Sequence, residues 1–102
     1  LLEATTAFFD SIKQYGNMIR ILFSESADNS FSSRLVEHLC SGYIPVGKNA
    51  DALSNRFVQL YIANGIVGML REWVNQGFPI SSRKIAEMMY FLSREKLFWN
   101  EH

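Results

Sequence analysis

Apolar residues recur along this chain at intervals of three and four, a spacing that places them on one side of an α-helix. In the first segment Leu1, Ala4, Phe8, Ile12 and Tyr15 follow this spacing, and similar stripes come after it. The predicted helices run from residue 1 to 15, 18 to 23, 31 to 39, 49 or 51 to 75, and 81 or 82 to the end of the chain. The pattern therefore predicts an all-α fold of five helices.

Capping and helix-breaking residues separate these stripes. Gly16 suits a left-handed C-terminal cap and Asn17 suits the N-cap of the second helix, so a bend is expected between them. Ser81 or Ser82 can cap the last helix. The remaining boundaries are marked by Asp28, Asn29, Ser30, Gly42, Pro45, Gly47, Gly77 and Pro79.

The fourth helix is apolar on nearly all sides. Between Leu60 and Leu70 the only polar side chain is that of Asn64. Such a helix must be covered around most of its circumference. Gly65 and Gly68 each cost a helix interior about 1 kcal/mol relative to alanine, and close approach of another helix, in the same chain or in a second copy, would offset that cost.

A β-hairpin is the competing interpretation of this segment. Asn64-Gly65 is a strong two-residue turn signal, and the residues on both sides have good strand propensity. The helix is favoured because Phe57, Tyr61, Asn64 and Gly68 continue along one helical face, while the strict alternation of a half-buried strand is absent.

Composition and charge fit a single folded domain over residues 1–102. Apolar residues make up 48% of the chain, and ten basic residues balance ten acidic ones without forming a basic stripe. The chain itself is therefore not expected to bind nucleic acid. No apolar run reaches the roughly 18 to 20 residues of a membrane span. The single cysteine, Cys40, fits the cytoplasm. Because the first residue, Leu1, is not methionine and already lies in a helical pattern, we expect a further segment before it.

Candidate catalytic chemistry is sparse. His38 and Cys40 lie about 200° apart around a helix, so they cannot form a dyad. One cysteine and two histidines are too few for a zinc site, and Gly65 and Gly68 lack the strand, lysine and hydroxyl of a phosphate-binding loop. We expect no enzymatic activity, no metal and no cofactor.

Aromatic and aliphatic residues of the first four helices can converge where those helices meet. They would either fill the core or line an incompletely filled cavity that binds a small apolar or amphipathic effector, and the sequence leaves both interpretations open. These candidate pocket residues are Phe8, Ile12, Tyr15, Leu22, Phe31, Leu35, Phe57 and Tyr61.

The segment FVQLYIANGIVGMLREWVNQGFPISSRKIAEMM, Phe57 to Met89, resembles the last two helices of TetR-family transcriptional regulators. Phe8 to Ser24 is similar to the family's earlier helix pair, and Phe31 to Leu39 to its next helix. The resemblance implies the C-terminal regulatory domain of a repressor. Such a domain senses a ligand and forms a homodimer through a four-helix bundle of its last two helices. DNA binding is implied only through an N-terminal helix-turn-helix domain absent from this chain.

Dimer formation is also suggested by the apolar surface, because a domain of this size cannot cover all sides of the fourth helix. The residues onto which the resemblance places the dimer interface are Ile66, Gly68, Met69, Trp73, Ile85, Met88, Met89 and Leu92. The alternative function is a helical protein–protein interaction module without a small-molecule ligand, whose apolar patch binds a different protein.

Overall fold

The computed structural model describes residues 2–24, 30–42, 44 and 51–94. They form five α-helices without any strand: α1 (Leu2–Gln14), α2 (Gly16–Ser24), α3 (Ser30–Gly42), α4 (Ala52–Asn75) and α5 (Ser82–Arg94). The all-α prediction is confirmed. Because α4 is continuous through Asn64 and Gly65, the hairpin alternative is wrong. The roles predicted for Asp28, Asn29, Pro45, Gly47 and Asn49, and the extension of the last helix to the chain end, lie outside the described residues.

Helix α4 begins and ends where its capping residues predict. The Asp51 carboxylate accepts a hydrogen bond from the Ser54 amide at 2.7 Å, and this bond lowers the pKa of Asp51. At the other end Gly77 and Phe78 both take positive φ angles, 77° and 62°. The Phe78 amide donates to the carbonyl of Trp73 at 2.9 Å, so the chain turns back over the last turn of α4.

Gly16 does not cap α1, and that prediction is wrong. It is the first residue of α2, and the only glycine with positive φ among the described residues is Gly77. A Cβ built on Gly16 would lie 2.5 Å from Cζ of the Phe78 ring. Asn17 likewise lies inside α2, where its side-chain oxygen accepts from Arg20 at 2.9 Å. Glycine is needed at position 16 because the ring of Phe78, which is far away in the sequence, occupies the space that a Cβ would take.

The core centres on edge-to-face aromatic contacts around Trp73. Its indole ring lies 5.4 Å from the ring of Phe9 on α1 and 4.8 Å from that of Phe78. The indole N–H donates to the carbonyl of Ile80 at 2.8 Å. Trp73 thus joins α4 to α1 and to the connection before α5, while α5 packs mainly on α1 and α4 packs on α2 and α3.

Polar contacts hold α3 against the first half of α4. The Gln59 amide donates to the carbonyls of Cys40, at 3.2 Å, and Ile44, at 2.9 Å. Arg56 forms a two-pronged ion pair with Glu37 on the exposed side, which lowers the pKa of that carboxyl. Burial raises the pKa of the Cys40 thiol, which lies in the core.

Candidate functional site

The outward side of α4 carries large apolar side chains along its first half. Leu53, Phe57 and Tyr61 follow one another at intervals of four residues, and they are 63%, 62% and 83% exposed. The exposed residues of this side from 53 to 68 are uncharged, and the partly exposed Arg56 beside them is paired with Glu37 of α3. A helix that turns large apolar side chains to water over several turns has a surface suited to a binding partner. We call this surface the α4 face: Leu53, Phe57, Tyr61, Asn64, Gly65 and Gly68.

The two glycines of the α4 face make no close contact within the described part of the chain. A Cβ built on Gly65 or on Gly68 would meet no atom within 4 Å. The sequence predicted that another helix approaches these glycines closely, in the same chain or in a second copy. The described helices of the same chain do not supply that contact.

Helix α5 also turns apolar side chains outward. Met88, Phe91 and Leu92 are exposed, whereas Ile85, Ala86 and Met89 on the other side are buried in the core. Helix α3, by contrast, exposes mainly polar groups, among them Arg34, Glu37 and His38. We call Met88, Phe91 and Leu92 the α5 face.

The predicted dimer residues divide into three groups. Gly68, Met88 and Leu92 lie on the surface, and Ile66 and Met69 are half-buried against the core. Trp73, at 2% exposure, Ile85 and Met89 are buried within the chain itself. Trp73 points inward because its side of α4 meets Phe9 of α1. These three side chains hold the chain's own helices together and have little surface to offer a second chain.

The predicted pocket residues do not all converge. Ile12, Leu22, Phe31 and Leu35 are half-buried, and all of them except Leu22 pack on the core cluster. Phe8, Tyr15, Phe57 and Tyr61 are exposed, and the last two belong to the α4 face. Ligand binding at the half-buried members of this set stays a prediction.

A half-buried cation lies where α2, α3 and α4 meet. The Arg71 guanidinium donates to the hydroxyl of Ser32 on α3 at 2.9 Å, and its Cζ is 5.6 Å from the centre of the Phe23 ring on α2. Phe23 in turn contacts Phe31 edge to face at 5.0 Å. The sequence analysis missed this cluster, although an arginine directly after the apolar segment Leu60 to Leu70 was a visible signal.

The described residues bear on two other kinds of site, a metal centre and a membrane span. They bring together no group of three or more metal-ligating His, Cys, Asp or Glu side chains. None of their helices combines the length and the apolarity that crossing a bilayer requires.

Comparison with known proteins identifies one family. A TetR-type family model, described as a transcriptional regulator C-terminal region, matches residues 1–95. No curated protein and no solved structure matches the chain significantly.

Proposed function

Because the chain belongs to the TetR-type family of transcriptional regulator C-terminal regions, we propose that it is the dimer-forming and ligand-sensing part of a repressor. The single observation that carries dimer formation is the α4 face, an uncharged and largely apolar surface on the longest helix. The family membership supports the regulatory role.

DNA binding, in this proposal, is carried by a helix-turn-helix segment outside the 102 residues. Ten basic and ten acidic residues give the chain no net charge, and they are dispersed along it. Proteins that bind the phosphate backbone of DNA usually present a cluster of Lys and Arg on their surface. The chain therefore contributes assembly and regulation to the whole protein, which would act in the cytoplasm.

The dimer proposal is a two-fold contact between the α4 and α5 faces of two copies. Isologous interfaces bring the same patch of each subunit together, and their centres are rich in aromatic side chains and Met and poor in charge. Phe57, Tyr61, Met88 and Phe91 supply side chains of this kind. This surface replaces the buried Trp73, Ile85 and Met89 of the sequence-based set, while Gly68, Met88 and Leu92 remain in it.

The order of large and small residues along the α4 face suggests how two copies meet. Its first half carries Leu53, Phe57 and Tyr61, and its second half carries Gly65 and Gly68. An antiparallel crossing of two α4 helices about Asn64 would place the aromatic rings of one copy over the glycines of the other. Every such contact would occur twice, as two-fold symmetry requires.

The regulatory step follows from a shift between two arrangements of the dimer. An effector that binds one arrangement better than the other moves the equilibrium by the difference in its affinities. Two DNA-binding segments fit successive major grooves only at one spacing, so a changed arrangement would release the operator. The effector in this proposal is a small molecule bound where the helices meet.

The charge variant Phe57→Glu tests the dimer. We expect the unmodified chain to be a dimer at micromolar concentration in sedimentation equilibrium. Placing a carboxylate within the apolar interface costs about 2 kcal/mol or more, roughly a thirtyfold rise in dissociation constant. Circular dichroism should show unchanged helix content, since Phe57 is 62% exposed in the single chain.

The matched control is Ile21→Glu, which introduces the same charge at a position 53% exposed on a different helix, α2. It should leave the dimer intact. A monomeric unmodified chain, or equal effects of both substitutions, would contradict the proposed interface. A monomer that assembles only with a different protein would favour the interaction-module alternative.

The regulatory role is tested separately by a gel-shift assay on the full-length protein. We expect the full-length protein to bind DNA from its own promoter region and to slow the migration of that DNA, while unrelated DNA is unaffected. The proposal fails if a folded full-length protein selects no sequence from a random-oligonucleotide pool.

A further inference from the structure

Arg71 is a half-buried cation whose partners among the described residues are neutral. Its guanidinium packs against the Phe23 ring and donates to the Ser32 hydroxyl. Removing a charged group from water is costly unless another charge or a full set of hydrogen bonds compensates. One hydroxyl and one ring satisfy only part of a group that carries several N–H donors.

Two other arginines in the described ranges are paired with carboxylates. Arg56 bonds to both oxygens of Glu37, at 3.2 and 2.6 Å, and Arg83 bonds to Glu87 at 3.2 Å. Within residues 2–24, 30–42, 44 and 51–94 no carboxylate lies within ion-pair distance of Arg71. The neighbouring acid Glu72 accepts instead from Gln76 at 2.6 Å.

Arg71 is half-buried, so part of its side chain reaches solvent. In the described structure no buried side-chain nitrogen or oxygen lacks a hydrogen-bond partner, so N–H groups of Arg71 that are not bonded within the chain reach solvent. Of the neighbouring Phe23–Phe31 pair, Phe23 is buried, and the half-buried Phe31 offers apolar surface. A cation with accessible donors next to aromatic rings has the chemistry to recognise a carboxylate attached to an apolar body.

We propose that this junction of α2, α3 and α4 binds a small organic carboxylate, with Arg71 as the anion-binding residue. The carboxylate oxygens would accept from the guanidinium fork, and the apolar part would lie against Phe31, whose ring contacts the buried Phe23. The assignment of this ligand as the effector rests on the proposed function, whereas the binding itself does not. Arg71 follows Gly68 of the α4 face by three residues, so a ligand held there acts on the helix proposed to form the dimer.

Titration calorimetry with benzoate tests the site. The intact protein is titrated at neutral pH and fixed ionic strength with benzoate and, in parallel, with the uncharged analogue benzamide. We expect saturable binding of benzoate and at least about tenfold weaker binding of benzamide, because only the carboxylate accepts charge-assisted hydrogen bonds from Arg71.

Arg71→Gln should weaken benzoate binding by about tenfold or more. Arg83→Gln is the matched control, since it removes an exposed arginine from α5 and should leave the affinity unchanged. If Arg71→Gln fails to fold, Arg71→Lys keeps the charge but loses the planar fork, and it should bind more weakly than the unmodified protein.

Equal affinity for benzoate and benzamide, or unchanged benzoate affinity in the folded Arg71→Gln protein, would overturn the inference. Absence of saturable benzoate binding to the unmodified protein would overturn it as well. None of these results touches the sedimentation or gel-shift experiments, so the carboxylate site and the proposed function can fail independently.

Discussion

The Phe78 ring occupies the space that a side chain at Gly16 would need. Its Cζ and Cε2 atoms lie 2.5 and 2.8 Å from the position of a Cβ at Gly16. The same ring contacts the indole ring of Trp73 edge to face, with the ring centres 4.8 Å apart. Phe78 holds this place in a left-handed backbone conformation that L-residues rarely adopt. Glycine at 16 and phenylalanine at 78 are therefore parts of one contact between α2 and the turn after α4.

Gly16→Ala should destabilise the chain by about 1 to 2 kcal/mol. The added methyl forces the Phe78 ring to move, and overpacking of this kind outweighs the gain in helix propensity at the start of α2. The measurement is urea unfolding followed by circular dichroism.

The double substitution Gly16→Ala with Phe78→Ala is the control for this mechanism. Once the ring is gone, adding the methyl should cost nothing or should stabilise slightly, so the two changes should be strongly coupled. Additive losses would show that the Gly16–Phe78 contact is not the cause.

Among the helices, α3 and α4 are joined by hydrogen bonds from a side chain of α4 to backbone carbonyls at the end of α3. Gln59 donates to the carbonyls of Cys40 and Ile44, at the point where α3 ends. The last carbonyls of any helix lack partners within that helix. One amide group on α4 therefore completes the C-terminal end of α3 and fixes the distance between the two helices.

Gln59→Leu should lower the free energy of unfolding by about 1 to 3 kcal/mol, because both partly buried carbonyls lose their donor. Gln76→Leu is the matched control, since Gln76 is exposed and its amide bonds to Glu72 one turn away. Hydrogen exchange should quicken at the end of α3 in the first variant only. Similar exchange in both variants would remove the role assigned to Gln59.

For the molecule as a whole, the outward glycines of α4 have no packing role within the described part of one chain, but they have one in the proposed assembly of two chains. Neither Gly65 nor Gly68 touches another described helix, so the described part of the chain gains nothing from the missing side chains. Their cost to helix stability is about 1 kcal/mol each. A contact with a second copy offers the compensation that the described part of the single chain does not.

Gly68→Leu should therefore have opposite effects on folding and on association. We expect a more stable helix in dilute, monomeric protein, by up to about 1 kcal/mol, and a higher dimer dissociation constant in sedimentation equilibrium. Ser33→Leu, an exposed change on α3, should leave association unchanged. Tighter association of the Gly68→Leu protein would rule out the antiparallel crossing about Asn64.

The positions of the helices, the cap at Asp51 and the all-round apolar character of α4 were readable from the sequence, because periodicity and capping act between residues a few positions apart. The TetR resemblance was readable as well, and the family match confirmed it. The candidate site residues were harder to predict from the sequence. Trp73 was assigned to the dimer surface and lies in the core, while Phe57 and Tyr61 were assigned to a pocket and lie outside.

Tertiary structure decided which sides of α4 and α5 are buried, why Gly16 must be glycine, and where Arg71 finds its partners. Each of these depends on residues far apart in the sequence, such as Gly16 with Phe78 and Arg71 with Ser32. A helix that is apolar on all sides gives no local signal of which side faces the core. That choice is made by the helices that pack against it.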